Sequence, residues 1–258
     1  MISIFNAEIF IKTNMKKILI LLAMAFAINV AAQESVLLRL NYAKGENYAV
    51  EMKMSQDMGT MMSMDMKIQM TQEIKSVTES EYVADMKITK MVMDMNQSGI
   101  DVNYDSSMSD DELSESGKIM KAQVGPMLQV VITSKGNNLG EILSTAVEPN
   151  IPGASDFADQ SSSVVYPKEA VSVGSSWTMS KEDNGMKMDF VYTVKSITNK
   201  VVTVDVSGTV TGAAEGTIKG HMGIDSKSGV PMISSIDMDM TVQGQAMKST
   251  VIITMTKK

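Results

Sequence analysis

Residues 166–208 read YPKEAVSVGSSWTMSKEDNGMKMDFVYTVKSITNKVVTVDVSG. The stretch holds a proline-bearing entry, a Gly174-x-x-Trp177 strand start, a polar turn and two runs of alternating apolar and polar residues. A period of two puts alternate side chains on opposite faces, so each run predicts a half-buried antiparallel strand. The first half of the chain carries a counterpart. Gly45-x-x-Tyr48 opens an alternating run that ends in KSVTESEYVADMKI, starting at Lys75. Laid under KSITNKVVTVDVSG from Lys195, it aligns without a gap at an offset of 120 residues (195 − 75). Lys75/Lys195, Ser76/Ser196, Thr78/Thr198 and Asp85/Asp205 are identical, and Met66, Ile68 and Met70 fall opposite Met186, Met188 and Phe190. The pattern predicts a diverged two-copy β module.

Alternation extends over most of the chain. Val36, Leu38 and Leu40 read as a first strand, and Tyr48, Val50, Met52, Met54 and Met58 as one face of the next, with Asp57 to Thr60 as its turn. Met62, Met64, Met66, Ile68, Met70 and Ile74 line one face of a long strand, opposite Ser63, Asp65, Lys67, Gln69 and Thr71. Apolar residues then sit at even positions through Ile88 and at odd positions from Met91 to Met95. That change of parity near Thr89 to Met91 predicts a β-bulge. Ser109-x-x-Glu112 reads as a capping box for a short helix near 109–124, weakened by Gly117 and ended by Gly125-Pro126. Met127 to Thr133 reads as strand with a turn at Lys135-Gly136, and Leu139 to Val147 as a second short helix. Residues 149–163 (PNIPGASDFADQSSS) are loop-like and read as a linker, a lid or a long crossover. The second half continues with strands up to the last, whose odd face is Met247, Val251, Ile253 and Met255.

The N-terminus reads as an address. Met15-Lys16-Lys17 and the apolar run ILILLAMAFAINV precede Val30-Ala31-Ala32, the pattern of a cleaved signal peptide over residues 1–32. Residues 1–14 lie upstream of a normal signal start and read as an over-long start. The expectation is an exported protein, periplasmic or extracellular, that does not span a membrane after cleavage. Export leaves 33–148 as a first β half and 164–258 as a second.

Composition excludes several classes. The chain has 258 residues, a net charge of −7, no Cys, one His and one Trp. Without Cys there are no disulfides, thiolate metal sites or Cys nucleophiles, and no lipid-attachment cysteine, so no lipid anchor is expected. An acidic chain lacks the basic stripe that nucleic acid requires, so no nucleic-acid partner is expected. His221 has polar-face parity with no neighbouring nucleophile or orienting acid in sequence. No phosphate loop or nucleophile elbow is present. No catalytic residue, enzyme activity or cofactor is expected.

The composition stands out in its 27 Met against 5 Phe. Met58, Met61, Met62, Met64 and Met66, like Met91, Met93 and Met95, form thioether runs of the kind that suit Cu(I). Successive M-x-M side chains on a strand lie about 6.6 Å apart, so chelation needs a cross-strand partner. Because Met also keeps apolar parity at single positions such as Met188 and Met247, the runs read, against copper, as flexible core filler in place of Leu and Val, and a structural envelope protein is a further alternative to the adaptable ligand face. Met62, Met64, Met66, Ile68, Met70, Met186, Met188 and Phe190 are the expected contacts for a lipid-like or other apolar small molecule.

The stretches LRLNYAKGENYAVEMKMSQ and YPKEAVSVGSSW, with the signal ending AAQ, resemble the exported proteins of Bacteroidota grouped as domain of unknown function 6263. That resemblance implies no activity and assigns no functional residue. At fold level a two-copy curved sheet with a helix is similar to the half-barrel lipoprotein carriers of the periplasm, an analogy that does not fix function. The expected fold is mainly β: an antiparallel, strongly curved sheet or incomplete barrel of two related halves, with one or two short helices.

Overall fold

A computed structural model describes residues 34–151, 164–183 and 185–258. The expected signal peptide (1–32) and most of the 149–163 segment lie outside the described residues. In chain order the elements are β1 (Ser35–Val36), β2 (Asn47–Asp57), β3 (Met62–Val77), β4 (Glu81–Gln97), β5 (Ile100–Asp105), α1 (Glu115–Val124), a 3-10 turn (Gly125–Gln129), β6 (Val131–Asn137), β7 (Ile142–Glu148), β8 (Val171–Ser172), β9 (Ser176–Asp183), β10 (Met186–Thr198), β11 (Val201–Gly212), β12 (Ala214–Asp225), β13 (Pro231–Val242) and β14 (Gln245–Lys257).

One antiparallel sheet contains nearly all of them, in the order β7-β6-β4-β3-β2-β14-β13-β12-β11-β10-β9, with β5 also on β4. β4 is long enough to hold two neighbours on one edge: Glu81–Lys87 pair with β6 and Val92–Gln97 with β5. Sequence neighbours pair as hairpins almost throughout. The exceptions are β4 with β6 and β14 with β2, where Lys248 pairs Asp57 and Lys257 pairs Tyr48. A small separate sheet joins β1 to β8.

Alternation did its expected work. β3 buries Ile68, Met70 and Ile74 and exposes Ser63 and Asp65. The parity change in β4 is a bulge: Gln69 pairs Lys90 and Met70 pairs Ile88, leaving Thr89 unpaired. Thr89 Oγ1 donates to the Gln69 carbonyl at 3.1 Å. Two further bulges fall at Lys75 and Lys195, the first residues of the aligned stretches. Around them Val77 pairs Tyr82 and Ile197 pairs Val202, while Ile74 pairs Ala84 and Val194 pairs Val204. Upstream, Gly45 (φ 84°) and Gly174 (φ 87°) donate their N–H groups to the Ile74 and Val194 carbonyls, each at 2.8 Å. A left-handed turn residue therefore feeds each hairpin at the same register.

Five expectations need correction, the first being that strand begins at Val131 and not at Met127, because Gly125–Gln129 forms the 3-10 turn. Only Ser35–Val36 pairs as strand. Leu38 to Asn41 lies outside the sheet, with Leu38 fully buried and Leu37 53% exposed. Parity was right; a core plug, rather than a ladder, receives the apolar side. Leu139 to Val147 is no helix: a turn leads into β7. Lys135-Gly136 is inside β6, where Gly136 pairs Tyr82 and any Cβ would overlap that ring. The helix starts at Glu115, not at 109. Ser114 is its N-cap, accepting from Gly117 N, while Ser109 and Glu112 close a turn on each other before it. Gly117 fits because a Cβ there would press on the Asn103 carbonyl of β5.

The plug gathers the main core. Leu38, Leu40 and Tyr166 pack with Tyr48, Ile74 and Tyr82 and with Tyr192, Val194, Val204 and Ile224. Leu40 N donates to Asn138 O in the β6–β7 turn, and Asn41 N to Ser228 O in the β12–β13 turn, each at 2.8 Å. Tyr166 reaches the same two turns, through Leu139 O and Gly229 O. Arg39 adds hydrogen bonds to the carbonyls of Leu38, Pro167 and Lys168.

Candidate functional site

Residues directly opposite in an antiparallel ladder share a face, so register alone assembles the candidate surface. One row runs Tyr104, Met93, Met66, Met54, Val251, Ile236, Gly220, Val206, Tyr192, Trp177 across ten strands. The adjacent row runs Val102, Met95, Met64, Gln56, Ser249, Met238, Ile218, Gly208, Phe190, Met179. Neither row holds a charged side chain. We call this the inner face. Its outer counterpart carries Ser, Thr, Asp and Lys, with ion pairs such as Lys67–Glu51 at 2.9 Å. Hydrogen bonds from Lys67 and Gln69, against a small opposing effect of burial, hold the Glu51 carboxyl down to about 2.

Seven of the eight expected contact residues fall into two packing clusters. Met64, Met66, Ile68 and Met70 belong to a cluster with Met91, Met93 and Tyr104, and Leu113, Met120, Val124 and Leu128 of α1 and its flanks pack on it. Met186, Met188 and Phe190 belong to another with Val210, Ile218, Met238, Met240 and Met247, which contains no residue of α1. Met62 joins neither. Within the rows, Met54, Met64, Met66, Ile236, Met238 and Val251 are half-buried.

The thioether run is also divided. Met58 and Met61 sit at the β2–β3 turn, Met61 being 47% exposed, away from the inner rows. Met64 pairs Met95, and Met66 pairs both Met54 and Met93, so the cross-strand partners that thioether ligation needs are present. Sequence reasoning did not single out Met54 as a partner, because only the β2–β3 register reveals it.

Two depressions are also present among the described residues. One of about 320 Å³ is lined by Thr217, Lys219, Asp237, Asp239, Lys248 and Thr250 of the outer face, with Met238 and Ser249. Another of about 130 Å³ lies beside Leu40, Tyr42, Thr78, Glu81 and Tyr82. Neither contains any of the eight expected residues. Tyr82 and Tyr192, in the core below, have their phenols pushed up to about 12 by burial.

His221 is exposed on the outer face, as parity predicted. The register nevertheless sets it between Asp205 on β11 and Ser235 on β13, a combination invisible in sequence. Among the described residues no hydrogen bond joins His221 to either, and the backbone here is committed to the β11–β12–β13 ladder. The row therefore lacks an oriented imidazole and free N–H donors for an oxyanion. Among the described residues no cluster of His, Cys, Asp or Glu is arranged to hold a metal ion.

Two buried side-chain polar atoms lack partners among the described residues: Trp177 Nε1 and Ser249 Oγ. Both belong to the inner rows. Trp177 stacks on Tyr192 with ring centroids 5.3 Å apart.

Among curated proteins no sequence matches the chain. Residues 158–252 match the model of a family of unknown function (DUF6263). The match covers the second half and leaves LRLNYAKGENYAVEMKMSQ outside it. A solved lipovitellin structure, concerned with lipid–protein interactions in lipovitellin, is similar at a TM-score of 0.50 and 9% identity. The similarity covers 84% of this chain and 25% of that one, so this chain spans about a quarter of lipovitellin's length. At that identity the likeness concerns fold alone: the chain is similar to a family of unknown function over its second half and shares a large antiparallel β architecture with lipovitellin.

Proposed function

We propose that this is an exported, non-catalytic protein that holds a lipid-like or other hydrophobic ligand on the methionine-rich inner face of its sheet. The observation that carries this reading is the pair of uncharged rows, each ten strands wide and largely half-buried. A β-sandwich covers such a face with a second sheet. Here α1 and its flanks pack on the first-half cluster, while the second-half cluster has no helical cover. Unbranched thioether side chains adapt to a ligand of imprecise shape.

In this reading the sheet is strongly curved, an incomplete barrel. Consecutive N–H groups of Leu40 and Asn41 reach turns six strand positions apart. In a flat sheet those turns would be separated by about 29 Å, at roughly 4.8 Å per strand. Gly208, Gly216 and Gly220 support the same picture, because a Cβ at any of them would overlap a carbonyl of the neighbouring strand. The matching bulges at Lys75 and Lys195, with matching glycine turns, support an origin in two related halves. Lipovitellin's association with lipid is compatible with a lipid ligand here. Met15-Lys16-Lys17, the apolar run after them and Val30-Ala31-Ala32 support export.

Native mass spectrometry of the full chain, expressed with its N-terminus and recovered from the exported fraction, tests the reading. The expected result is added mass that organic extraction removes and that corresponds to lipid. A bare polypeptide mass, together with no enhancement of a pyrene-alkane probe, would overturn it.

One observation favours a second reading. Met66 stands between Met54 and Met93 in one cross-strand row, which supports Cu(I) binding by their thioethers. Added copper mass that survives extraction and yields to a Cu(I) chelator would select it. Met66→Leu would then remove the copper and leave the fold intact.

A further inference from the structure

Among the described residues, Ser249 is the one place where the apolar inner face carries a buried hydroxyl with nothing to bond. It is 3% exposed, and its Oγ has no partner. Its parity on β14 is that of Met247 and Val251, so it points to the inner side. Its cross-strand neighbours are Gln56 on β2 and Met238 on β13. The Gln56 side chain is half-buried, and its amide donates to the Met54 sulfur at 3.7 Å, a weak acceptor. Two uncharged hydrogen-bonding side chains thus stand next to each other at the middle of a face otherwise built from Met, Val, Ile and aromatics.

An orphaned buried hydroxyl is destabilising, and native proteins keep few of them without a reason. We infer that Ser249 and Gln56 receive the neutral polar group of a single-chain lipid, an ester, amide or alcohol, whose hydrocarbon lies along the methionine rows. This rests on the apolar-ligand reading and narrows its substrate class. The head must be neutral because neither row contains a cation to balance a carboxylate or phosphate, and burying an unpaired charge is far costlier than burying a dipole. The hydroxyl donates to a carbonyl or accepts from an alcohol, and the Gln56 amide does either. Met238 and Met64 flank the pair in the same cross-strand row. Methionine's three rotatable bonds let them adapt to a ligand.

The test compares three pyrene-labelled probes on the full chain by fluorescence titration: a monoacylglycerol, the corresponding free fatty acid and an alkane of equal length without a head. The monoacylglycerol is expected to bind tightest. Ser249→Ala should weaken it about 5-fold, the factor carried by one hydrogen bond, and leave the alkane unchanged. Gln56→Leu should act in the same direction. Ser249→Ala removes only an unpartnered hydroxyl, so the variant is expected to fold, with a melting temperature equal to or above the parent's. Equal effects of Ser249→Ala on all three probes, or tightest binding of the fatty acid, would overturn the inference while leaving the apolar face standing. Failure of every probe, the alkane included, would overturn both.

Discussion

Glu46 ties the start of β2 to the end of the chain. It accepts hydrogen bonds from Lys257 of β14 and from the Tyr48 hydroxyl at 2.7 Å. Burial alone would raise its carboxyl, but those bonds and the Ala43 backbone outweigh it and leave the group below the usual carboxylate range. A carboxyl whose native value lies below its unfolded value stabilises the fold above the unfolded value, and the contribution fades as pH falls through the native one. Glu46→Gln should therefore cost about 1 kcal/mol near pH 7 and much less near pH 3. Urea unfolding at both pH values, read by Trp177 fluorescence, checks this. A difference independent of pH would refute it. The Tyr48 phenol on the same carboxylate is pushed well up, first by burial and then by Glu46 itself.

At the scale of elements, α1 illustrates what a local motif can and cannot announce. Ser109 N and Oγ both donate to Glu112 Oε2 at 2.9 Å, and Glu112 N donates to the Ser109 carbonyl at 3.1 Å. The bonded turn stands ahead of the helix, however, and Ser114 performs the capping. Ser114→Ala should cost about 1 kcal/mol, and Ser109→Ala less than half of that. Chemical denaturation of the two variants distinguishes the roles, and the reverse order would place the functional cap at Ser109. The bulge at Thr89, in contrast, was legible because it changes parity within one strand. A bulge leaves that mark only when apolar residues flank it on both sides. The Lys75 and Lys195 bulges sit near the hairpin ends, where the flanking pattern is too short to show them.

For the molecule as a whole, the segment Leu38 to Asn41 ties the β6–β7 turn to the β12–β13 turn. Leu38 is fully buried among residues from β3, β4, β10, β11 and β12, whereas Leu37 points outward. Leu38→Ala should lower stability by about 3 kcal/mol, within the range for large-to-small core changes. Leu37→Ala should change it by no more than about 0.5 kcal/mol. Differential scanning calorimetry of both variants provides the comparison, and equal melting temperatures would show that the plug contributes nothing to the sheet.

Alternation by itself determined most of the strands and their faces, the bulge in β4 and the class of the fold, because the two-residue period is a property of the local backbone. The same pattern set Met64, Met66, Met186 and Met188 on apolar parity without saying which of them share a surface. That followed only from the tertiary structure. The pairing of β14 with β2 joins segments nearly two hundred residues apart, and it alone brings Gln56 beside Ser249. Packing of α1 then covered the first methionine cluster and left the second without a helix. Leu38 carried strand parity yet became a plug, since burial requires an apolar neighbour on one side but not a hydrogen-bonded ladder along the backbone. Local pattern fixes what a residue faces toward; only long-range register and packing fix what it meets there.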